Sequence, residues 1–410
     1  MIYDLCYGEP VLSMNRAYEG DTAARHETTP ACAAAEFMNR AASAPLQPAA
    51  GASLRIVVRE HARSDNLRGL MQVLTAFGLL ALLWWAAVLS IGLSPWLTVA
   101  IVPLISLSSL RLFALMHECG HGSLFRNQSL NRSFGFLLGV TTGMPQYVWS
   151  QHHNYHHTHN GNWDKYRGPY TTLSVHEYAA LSAAQQWMYR RKCSIAGAPI
   201  AGFIYLIFNP RFTWLKGSIA YARHVIRQKI AHPSQSLKAH AAGFRTSYWK
   251  SAQEYRHMSW NNAVLLSIWV LMCQVVGPLL FFTIYLTSLS LAGGAGIILF
   301  TVQHNFRHAY ASDEDHWDSV TGAIEGTSHL ILPTWLNWFT ANIGYHHVHH
   351  LCARIPNYRL VECHNKHRHL FAAVTRIKLA EVPAALKYIL WDSRAQQIIS
   401  VEEYRKQMQG

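Results

Sequence analysis

Two long stretches of this sequence contain no Lys, Arg, Asp, Glu or His. Residues 69–110 form a run of 42 such positions, and residues 258–303 form a second run of 46. Since one membrane-spanning helix needs about 20 apolar residues, each run is long enough for two helices. Backbone polar groups in lipid must be hydrogen-bonded within the chain, which favours helices. The sequence therefore predicts an all-α integral membrane protein with two transmembrane helical hairpins.

The boundaries of the four predicted spans follow from turn signals inside the two runs. Ser94 and Pro95 mark the first turn. The second turn is placed near Thr287 and Ser288, with the glycine-rich residues 293–296 as the alternative. The predicted spans are residues 70–92, 96–116, 262–285 and 288–303.

Shorter apolar stretches and the overall composition complete the membrane assignment. Residues 134–149 and 195–210 are each about 16 residues long, so re-entrant or interfacial helices fit them better than spans. Charged residues make up 14% of the chain, whereas soluble globular proteins have about 25%. This composition excludes a disordered chain and argues against an ordinary soluble enzyme.

Basic residues outside the apolar runs predict the orientation in the membrane. The segment before the first hairpin and the linker 126–256 are rich in Lys and Arg, whereas the two predicted turns have none. By the positive-inside rule, both termini, the linker and the histidine clusters described below face the cytoplasm, most simply at the inner or cell membrane. The net charge of +13 then reflects contact with anionic headgroups and requires no nucleic-acid partner.

These patterns divide the chain into three predicted parts. Residues 1–53, which lack the basic and apolar regions of a secretory signal, are expected to form a disordered N-terminal segment. Residues 54–380 form the membrane domain, and residues 381–410 form a cytoplasmic C-terminal tail. The seven cysteines include no C-x-x-C pair, and their odd number indicates reduced thiols rather than a disulfide framework.

Histidine is unusually frequent and is concentrated in four clusters. The 25 histidines outnumber the 22 acidic residues, and histidine is the commonest metal ligand in proteins. The clusters are HECGH at 117–121, HHNYHHTH at 152–159, His304 with His308, and HHVHH at 346–350. Residues at i, i+3 and i+4 share one face of a helix. Each H-x-x-H-H set is therefore expected to aim its imidazoles at one point.

The number of suitably spaced histidines indicates two metal ions. The four clusters offer two, three, one and three ligands, which exceeds the needs of one zinc and suits two metals of coordination number near five. Ligation by imidazole at this density favours iron. Five further histidines are expected to be solvated or to support the ligands: His152, His159, His308, His329 and His347.

Three other interpretations start from the same residues. The HECGH motif also fits H-E-x-x-H, the zinc motif of an intramembrane metalloprotease, which would leave both H-x-x-H-H sets unexplained. Two E-x-x-H pairs, Glu118 with His121 and Glu254 with His257, are typical of soluble di-iron carboxylate bundles, whose additional glutamates are scarce here. A metal transporter would place ionisable ligands near the bilayer midplane, and the two apolar runs contain none.

The order H-x-x-x-H, H-x-x-H-H, H-x-x-H-H resembles that of the membrane fatty acid desaturases. Val302-Gln303-His304 after the second hairpin is similar to the family's additional histidine site. The sequence NIGYHHVHHL at 342–351, followed by RIPNY at 354–358, resembles the acyl-lipid branch of the omega-6, or delta-12, type. Trp149 and residues 161–168 are also similar, and the resemblance covers roughly residues 70–370.

This resemblance implies both a fold and a chemistry. It implies a His-ligated di-iron centre at the cytoplasmic membrane surface that uses O2 to introduce a double bond into an acyl chain. Electrons would come from a separate donor of ferredoxin-like or similar type, while hydroxylation of lipid or oxygenation of carotenoid on the same scaffold stays open. Glu118, Asp164 and Asp318 are candidate acceptors of the second N–H groups of the ligands. The implied iron ligands are His117, His121, His153, His156, His157, His304, His346, His349 and His350.

Overall fold

The computed structural model describes residues 48–168 and 172–409, most of which are helical. The helices in the first half of the chain are α1 (Pro48–Arg59), α2 (Asn66–Ser90), α3 (Pro95–Gly120), α4 (Gln128–Thr141), α5 (Gln146–His159), α6 (Val175–Ala179), α7 (Ala183–Lys192), α8 (Ala198–Phe203), α9 (Asn209–Ala231) and α10 (Leu237–Ala242). Those in the second half are α11 (Ala252–Val276), α12 (Pro278–His304), α13 (Ser319–Ile324), α14 (Thr334–Phe339), α15 (His346–Leu351), α16 (Asn357–Lys366), α17 (Val382–Ala385) and α18 (Val401–Gln409).

Two small sheets correct the expected all-α class. The strands are β1 (Leu173–Ser174), β2 (Ser328–Ile331), β3 (Thr375–Lys378), β4 (Tyr388–Asp392) and β5 (Gln397–Ser400). One sheet has the order β1-β4-β5, with β1 parallel to β4 and β4 antiparallel to β5. In the other, β2 and β3 are parallel. Both sheets are built from segments outside the long apolar runs, where polar backbone can pair across distant parts of the chain.

Within residues 48–168 and 172–409, five helical segments are long and apolar enough to cross a membrane, compared with the four spans predicted. They are α2, α3, the continuous helical stretch Ile195–Ala231, α11 and α12. The third of these starts with the apolar residues 195–210 and extends past them, through a π-helical turn at Ile204–Phe208 that directly precedes Asn209 and Pro210 of α9. The other short apolar stretch, 134–149, is divided between α4 and α5 by a turn at Gly143, whose φ is +79°.

The turn between α11 and α12 lies at Gly277, not near Thr287 and Ser288 as predicted. Gly277 has a φ of +87°, which a residue without Cβ adopts readily, and Pro278 begins the next helix. Ser288 lies inside α12, where its hydroxyl donates to the carbonyl of Tyr285 at 3.1 Å. The predicted spans 262–285 and 288–303 are therefore replaced by α11 and α12.

The alternative turn at residues 293–296 is instead a place where two helices cross. A Cβ added to Gly202 of α8 would lie only 2.3 Å from the backbone nitrogen of Gly294 and 2.6 Å from the carbonyl carbon of Gly293. Glycine at these positions lets the backbones of α8 and α12 approach closely, as small residues do between membrane helices. The glycines thus serve packing within a continuous helix.

The segments at the two ends of the described chain are folded onto the rest. Leu54 and Val58 of α1 are buried in an apolar cluster with Val348 and Leu351 of α15. The helix α1 itself begins at Pro48, within the segment predicted to be disordered. The remainder of that prediction, residues 1–47, lies outside the described residues. The predicted C-terminal tail contributes β4, β5 and α18, and Leu390 is buried in a cluster with residues that include Tyr178.

Candidate metal centre

All nine predicted ligands stand at the ends of apolar helices or on short helices beside them. His117 lies in the last turn of α3, His121 follows its end, and His304 is the last residue of α12. The second cluster occupies the C-terminal half of α5, and the third cluster forms almost all of the six-residue helix α15. Two apolar helices therefore deliver three of the ligands, and two helices outside the apolar runs deliver the other six.

The nine histidines form two groups, each able to hold a metal ion. Within a group, the candidate ligand atoms all lie within 4.8 Å of one another. The first histidine group consists of His117, His121, His153, His157 and His349. The second histidine group consists of His156, His304, His346 and His350. No predicted ligand is left outside, and none of the five histidines expected to play other roles is included.

Pairs of ring nitrogens face one another at short distances. In the first group, the Nε2 atoms of His117 and His121 are 3.3 Å apart, and those of His153 and His157 are 3.0 Å apart. In the second group, the Nε2 atoms of His304 and His346 are 2.8 Å apart, and those of His156 and His350 are 3.2 Å apart. Lone pairs aimed at a common point from such distances are the arrangement that a bound cation requires.

Each H-x-x-H-H set is divided between the two groups, which corrects the expectation that one set aims at one point. The i,i+4 pair His153 and His157 belongs to the first group, whereas His156 belongs to the second. In the third cluster, His346 and His350 belong to the second group, whereas His349 belongs to the first. The physical reason is that i+3 and i+4 lie on opposite sides of residue i around a helix, so their side chains reach two neighbouring points.

Two of the candidate ligands contact an acceptor through the ring nitrogen that does not face the group. Nδ1 of His117 lies 3.2 Å from Oε1 of Glu118, and Nδ1 of His304 lies 3.3 Å from the carbonyl oxygen of Gly326. An acceptor at Nδ1 fixes the proton there and leaves the Nε2 lone pair toward the metal position. Asn154 of the second cluster also hydrogen-bonds to His121.

Of the three predicted acceptors, only Glu118 contacts a ligand. Glu118 is 1% exposed, and its Oε2 accepts hydrogen bonds of 2.9 Å from the Ser123 hydroxyl and the Asn357 amide. Asp164 instead accepts from the amide of Glu314, and Asp318 accepts from amides of its own helix, α13. The predictions for Asp164 and Asp318 are therefore wrong. Both residues lie outside regular helices, and the sequence does not indicate which part of the fold such a segment contacts.

Burial keeps the imidazoles outside the apolar helices neutral. It lowers the pKa of His121 to about 3, and it lowers the pKa of the six histidines on α5 and α15 in the two groups well below the usual value of 6.5. Repulsion between neighbouring imidazolium ions acts in the same direction. Because a metal binds the neutral imidazole, the groups are in the binding-competent state at neutral pH.

Buried nitrogens without hydrogen-bond partners test whether the residues fit a metal. Nδ1 and Nε2 of His349 are both buried and have no partner among the described residues. A buried polar atom left unpaired costs about 1–3 kcal/mol, so its presence at the centre of the first group indicates a ligand position. All candidate ligand atoms of the two groups are imidazole nitrogens, and the Glu118 carboxylate contacts the second ring nitrogen of His117. Such a set of donors fits a transition metal.

Aromatic side chains enclose the two groups on the side of the apolar helices. The Trp149 ring stacks on His153 with a centroid distance of 4.5 Å, and Phe113 contacts Trp149 edge-on at 5.3 Å. Phe300, one turn before His304, lies 4.9 Å from the His156 ring. The walls toward the membrane side are therefore apolar, and the metal positions are screened from water.

The five histidines expected to play other roles lie outside both groups. His308 is exposed and pairs with Gln397, and His159 contacts the carbonyl of Tyr155 on its own helix. His347 and His329 differ from expectation by being part of a separate set with His364, in which Nε2 of His347 lies 2.8 Å from Nδ1 of His364. His152 is half-buried and is likewise outside the groups.

The rival motif interpretations do not match this geometry. A metalloprotease needs Glu118 beside the metal as a base, but its carboxylate lies behind His117, at Nδ1. His257 of the second E-x-x-H pair stacks on Tyr147 at 4.5 Å and belongs to neither group.

The sequence motifs do not include Glu60, His61 and His367, which form a third set of potential ligands. Their separation in the chain leaves no spacing signal.

Apolar helices whose ends converge on buried histidine groups define the class of histidine-rich membrane metalloenzymes. The sequence matches the profile of the family described as Fatty acid desaturase over residues 94–378. It is 30% identical over 344 residues to a protein of Bacillus subtilis (strain 168) named Fatty acid desaturase, which covers 84% of this chain and 88% of the relative. The chain belongs to the fatty acid desaturase family, whose members are membrane-bound oxidoreductases.

More distant relatives have more specific names. The chain is 23% identical to the sn-1 oleoyl-lipid 12-desaturase of Picosynechococcus sp. over 296 residues, 72% of this chain and 73% of the relative. It is 24% identical to the endoplasmic-reticulum omega-3 fatty acid desaturase of Vigna radiata over 255 residues, 61% of this chain and 59% of that protein. The resemblance seen in the histidine motifs is thus confirmed at the level of the family.

Proposed function

We propose that this protein is an O2-dependent acyl-lipid desaturase whose two histidine groups hold two iron ions. The observation that carries the proposal is the convergence of nine imidazoles, eight of them buried, into groups of five and four. When bound, the iron pair would supply O2 activation: O2 would take up two hydrogens from adjacent methylenes together with two electrons and two protons from the donor, giving a double bond and two water molecules, which no side chain can achieve. The proposed ligands are the nine histidines of the two groups.

The donor set supports iron over zinc. A structural zinc site takes four ligands, and a catalytic one keeps three protein ligands. The five histidines of the first group exceed the four ligands of a zinc ion, and imidazole is a suitable ligand for iron. Glu118 and the Gly326 carbonyl, which face Nδ1 of His117 and His304, would hold these two imidazoles in the tautomer and orientation that ligation needs.

The substrate would be an acyl chain of a membrane lipid that enters from the apolar side. Phe113 of α3 contacts Trp149, which stacks on His153. Phe300 of α12 contacts His156. These rings would form the end of a narrow apolar passage that holds one C–C bond next to the metals and keeps water out. Two relatives named as desaturases of lipid-linked or omega-3 fatty acids support this substrate class.

In the proposed orientation, four of the five long apolar segments cross the membrane, and the fifth, Ile195–Ala231, lies at its surface. The histidine groups and both termini are then in the cytoplasm, where a separate ferredoxin-like or similar protein would deliver the electrons. The charge distribution supports this orientation. Cysteines introduced at Leu93 and Leu279, which are 81% and 83% exposed beside the two hairpin turns, should then react with an impermeant maleimide in intact cells. A cysteine at Met408 should react only after lysis. The opposite pattern would overturn the orientation.

Expression in a bacterial host that lacks the corresponding double bond tests the function directly. Gas chromatography of total lipids from aerated cells should show new unsaturated acyl chains, and the His349→Ala variant should show none. Iron in the purified protein should be about two ions per chain. Hydroxylated fatty acids in place of unsaturated ones would indicate oxygenation on the same scaffold. An unchanged lipid profile from an iron-loaded protein would refute desaturation.

A further inference from the structure

A third set of potential metal ligands lies away from both histidine groups. Glu60 and His61 directly follow α1, and His367 directly follows α16. We call these three residues the peripheral triad. The two imidazoles are buried, at 4% and 7% exposure, whereas Glu60 is 44% exposed. The triad therefore joins two distant parts of the chain at a point that solvent ions can reach.

The ligand atoms of the triad form a small, nearly equilateral triangle. The Nε2 atoms of His61 and His367 are 3.3 Å apart. Oε1 of Glu60 lies 3.2 Å from the first of these nitrogens and 3.1 Å from the second. Tetrahedral zinc with bonds of about 2.0–2.1 Å holds its ligand atoms about 3.3 Å apart. The triangle thus matches one face of a zinc coordination tetrahedron.

We propose that the peripheral triad binds a zinc ion, with water as the fourth ligand. Two imidazoles and one carboxylate are a ligand set that zinc accepts in proteins. Oε1 of Glu362 lies 3.7 Å from Nδ1 of His61, so its charge favours a proton on Nδ1 and leaves Nε2 as the donor. This site does not depend on the proposed iron centre, because it shares no residue with it.

One cation already competes for the carboxylate. Nζ of Lys366 lies 2.7 Å from Oε1 of Glu60. The Lys366 side chain is 56% exposed, so its ammonium group can move into water when zinc binds. A further charged group near the site is Arg359, whose Nη1 lies 3.5 Å from Oε2 of Glu362. Removal of the Lys366 charge should consequently strengthen zinc binding, an effect that a plain ion-pair network does not predict.

A zinc ion here would fasten α1 to the part of the fold that carries the third histidine cluster. Leu54 and Val58 of α1 pack in one apolar cluster with Val348 and Leu351 of α15. His367 directly follows α16, and α16 is the next helix after α15 in the chain. The ion would therefore hold α1 over the helix that supplies three of the proposed iron ligands, and its role would be structural.

Elemental analysis of the full-length protein, purified in detergent from zinc-supplemented cells and freed of loose metal, tests the proposal. His367→Ala should contain about one zinc ion per chain fewer than the wild type, with unchanged iron. His369→Ala, an exposed neighbour, and His349→Ala, in the first histidine group, should keep this zinc. Equal zinc in the wild type and His367→Ala would overturn the proposal.

Two exposed substitutions keep the test independent of folding defects. Glu60→Gln should weaken zinc binding at least tenfold, as expected for the loss of a ligand charge, and Lys366→Met should strengthen it. Trypsin should cut at the exposed Arg59 and Arg63 faster after chelation of the wild type, and equally fast with or without zinc in Glu60→Gln. Unaltered affinity in both variants would reject the site. Iron content and lipid products report on the proposed desaturase function separately.

Discussion

Nε2 of His156 lies 3.2 Å from Nε2 of His350, although 194 residues separate them in the chain. His156 stands one position from His157, yet the two imidazoles belong to different histidine groups. Adjacent residues of α5 therefore contribute one imidazole to each of the two histidine groups. A change at one of them affects both metal positions, because α5 is shared between them.

Substitution of His156 should remove metal from the second group first. His156→Ala leaves three of the four histidines there, so an iron ion at this position would lose one imidazole ligand and bind more weakly. We expect loss of at least half of the bound iron and of all desaturation, with normal membrane insertion. His159→Ala, three residues on and outside both groups, is the matched control and should retain iron and activity. Equal iron contents in the two variants would contradict the ligand assignment.

Glu118 should be required as a carboxylate and not only for its shape. Its Oε1 faces Nδ1 of His117, and its Oε2 accepts from Ser123 and Asn357. Glu118→Gln presents an NH2 group to one of these donors, so one hydrogen bond is lost. We expect a 10–100-fold loss of iron affinity or turnover, measured by iron titration of the metal-free protein. Asp164→Asn, which alters a carboxylate remote from the groups, should have wild-type affinity.

The histidine motifs predicted the nine members of the two histidine groups, because the spacing of H-x-x-H-H is a local property of a helix. That these nine residues bind iron stays a prediction. The motifs did not predict which ligand joins which group. That depends on where α15 lies against α5, and this relation is fixed by tertiary packing. His349 crosses to the first group only because α15 presents it toward His117 and His121, with ring centroids 4.6 and 4.9 Å away.

The apolar runs predicted the hairpins but misplaced one turn. Gly277 and Pro278 are adjacent in the sequence, and a Gly-Pro pair is a stronger turn signal than the hydroxyls of Thr287 and Ser288. Hydroxyls inside an apolar helix can bond to their own backbone, as Ser288 does, and so do not mark a break. The triad of Glu60, His61 and His367 had no local signal, since 306 residues separate its two histidines.

Acid should destabilise the iron-free protein over a defined pH range. Burial lowers the pKa of His121 to about 3 and lowers that of His153 and His349 well below 6.5, whereas unfolded histidines titrate near 6.5. Between these values the unfolded chain binds more protons, so the free energy of unfolding falls as the pH drops from 6.5 toward 3. Each such histidine contributes to this loss, because its imidazole gains a proton only when the chain unfolds.

Thermal unfolding of the iron-free protein in detergent measures this effect. The midpoint should be several degrees lower at about pH 5 than at about pH 7.5, and the difference should shrink in His121→Gln, which has no proton to gain. His369→Ala, an exposed histidine, should show the wild-type difference. A midpoint independent of pH across this range would indicate that the imidazoles are charged in the folded state.

The crossing of α8 and α12 should tolerate no side chain at Gly202. A Cβ there would lie 2.3 Å from the nitrogen of Gly294 and 2.6 Å from the carbonyl oxygen of Ser290, and both are backbone atoms that cannot rotate away. Gly202→Ala should therefore force the helices apart and destabilise the protein by about 1–3 kcal/mol. Gly78→Ala in α2, where nothing lies within 4 Å of the new methyl group, should leave the unfolding midpoint unchanged or slightly raised. Equal midpoints for the two variants, measured in the same detergent, would show that the helices do not cross at these glycines.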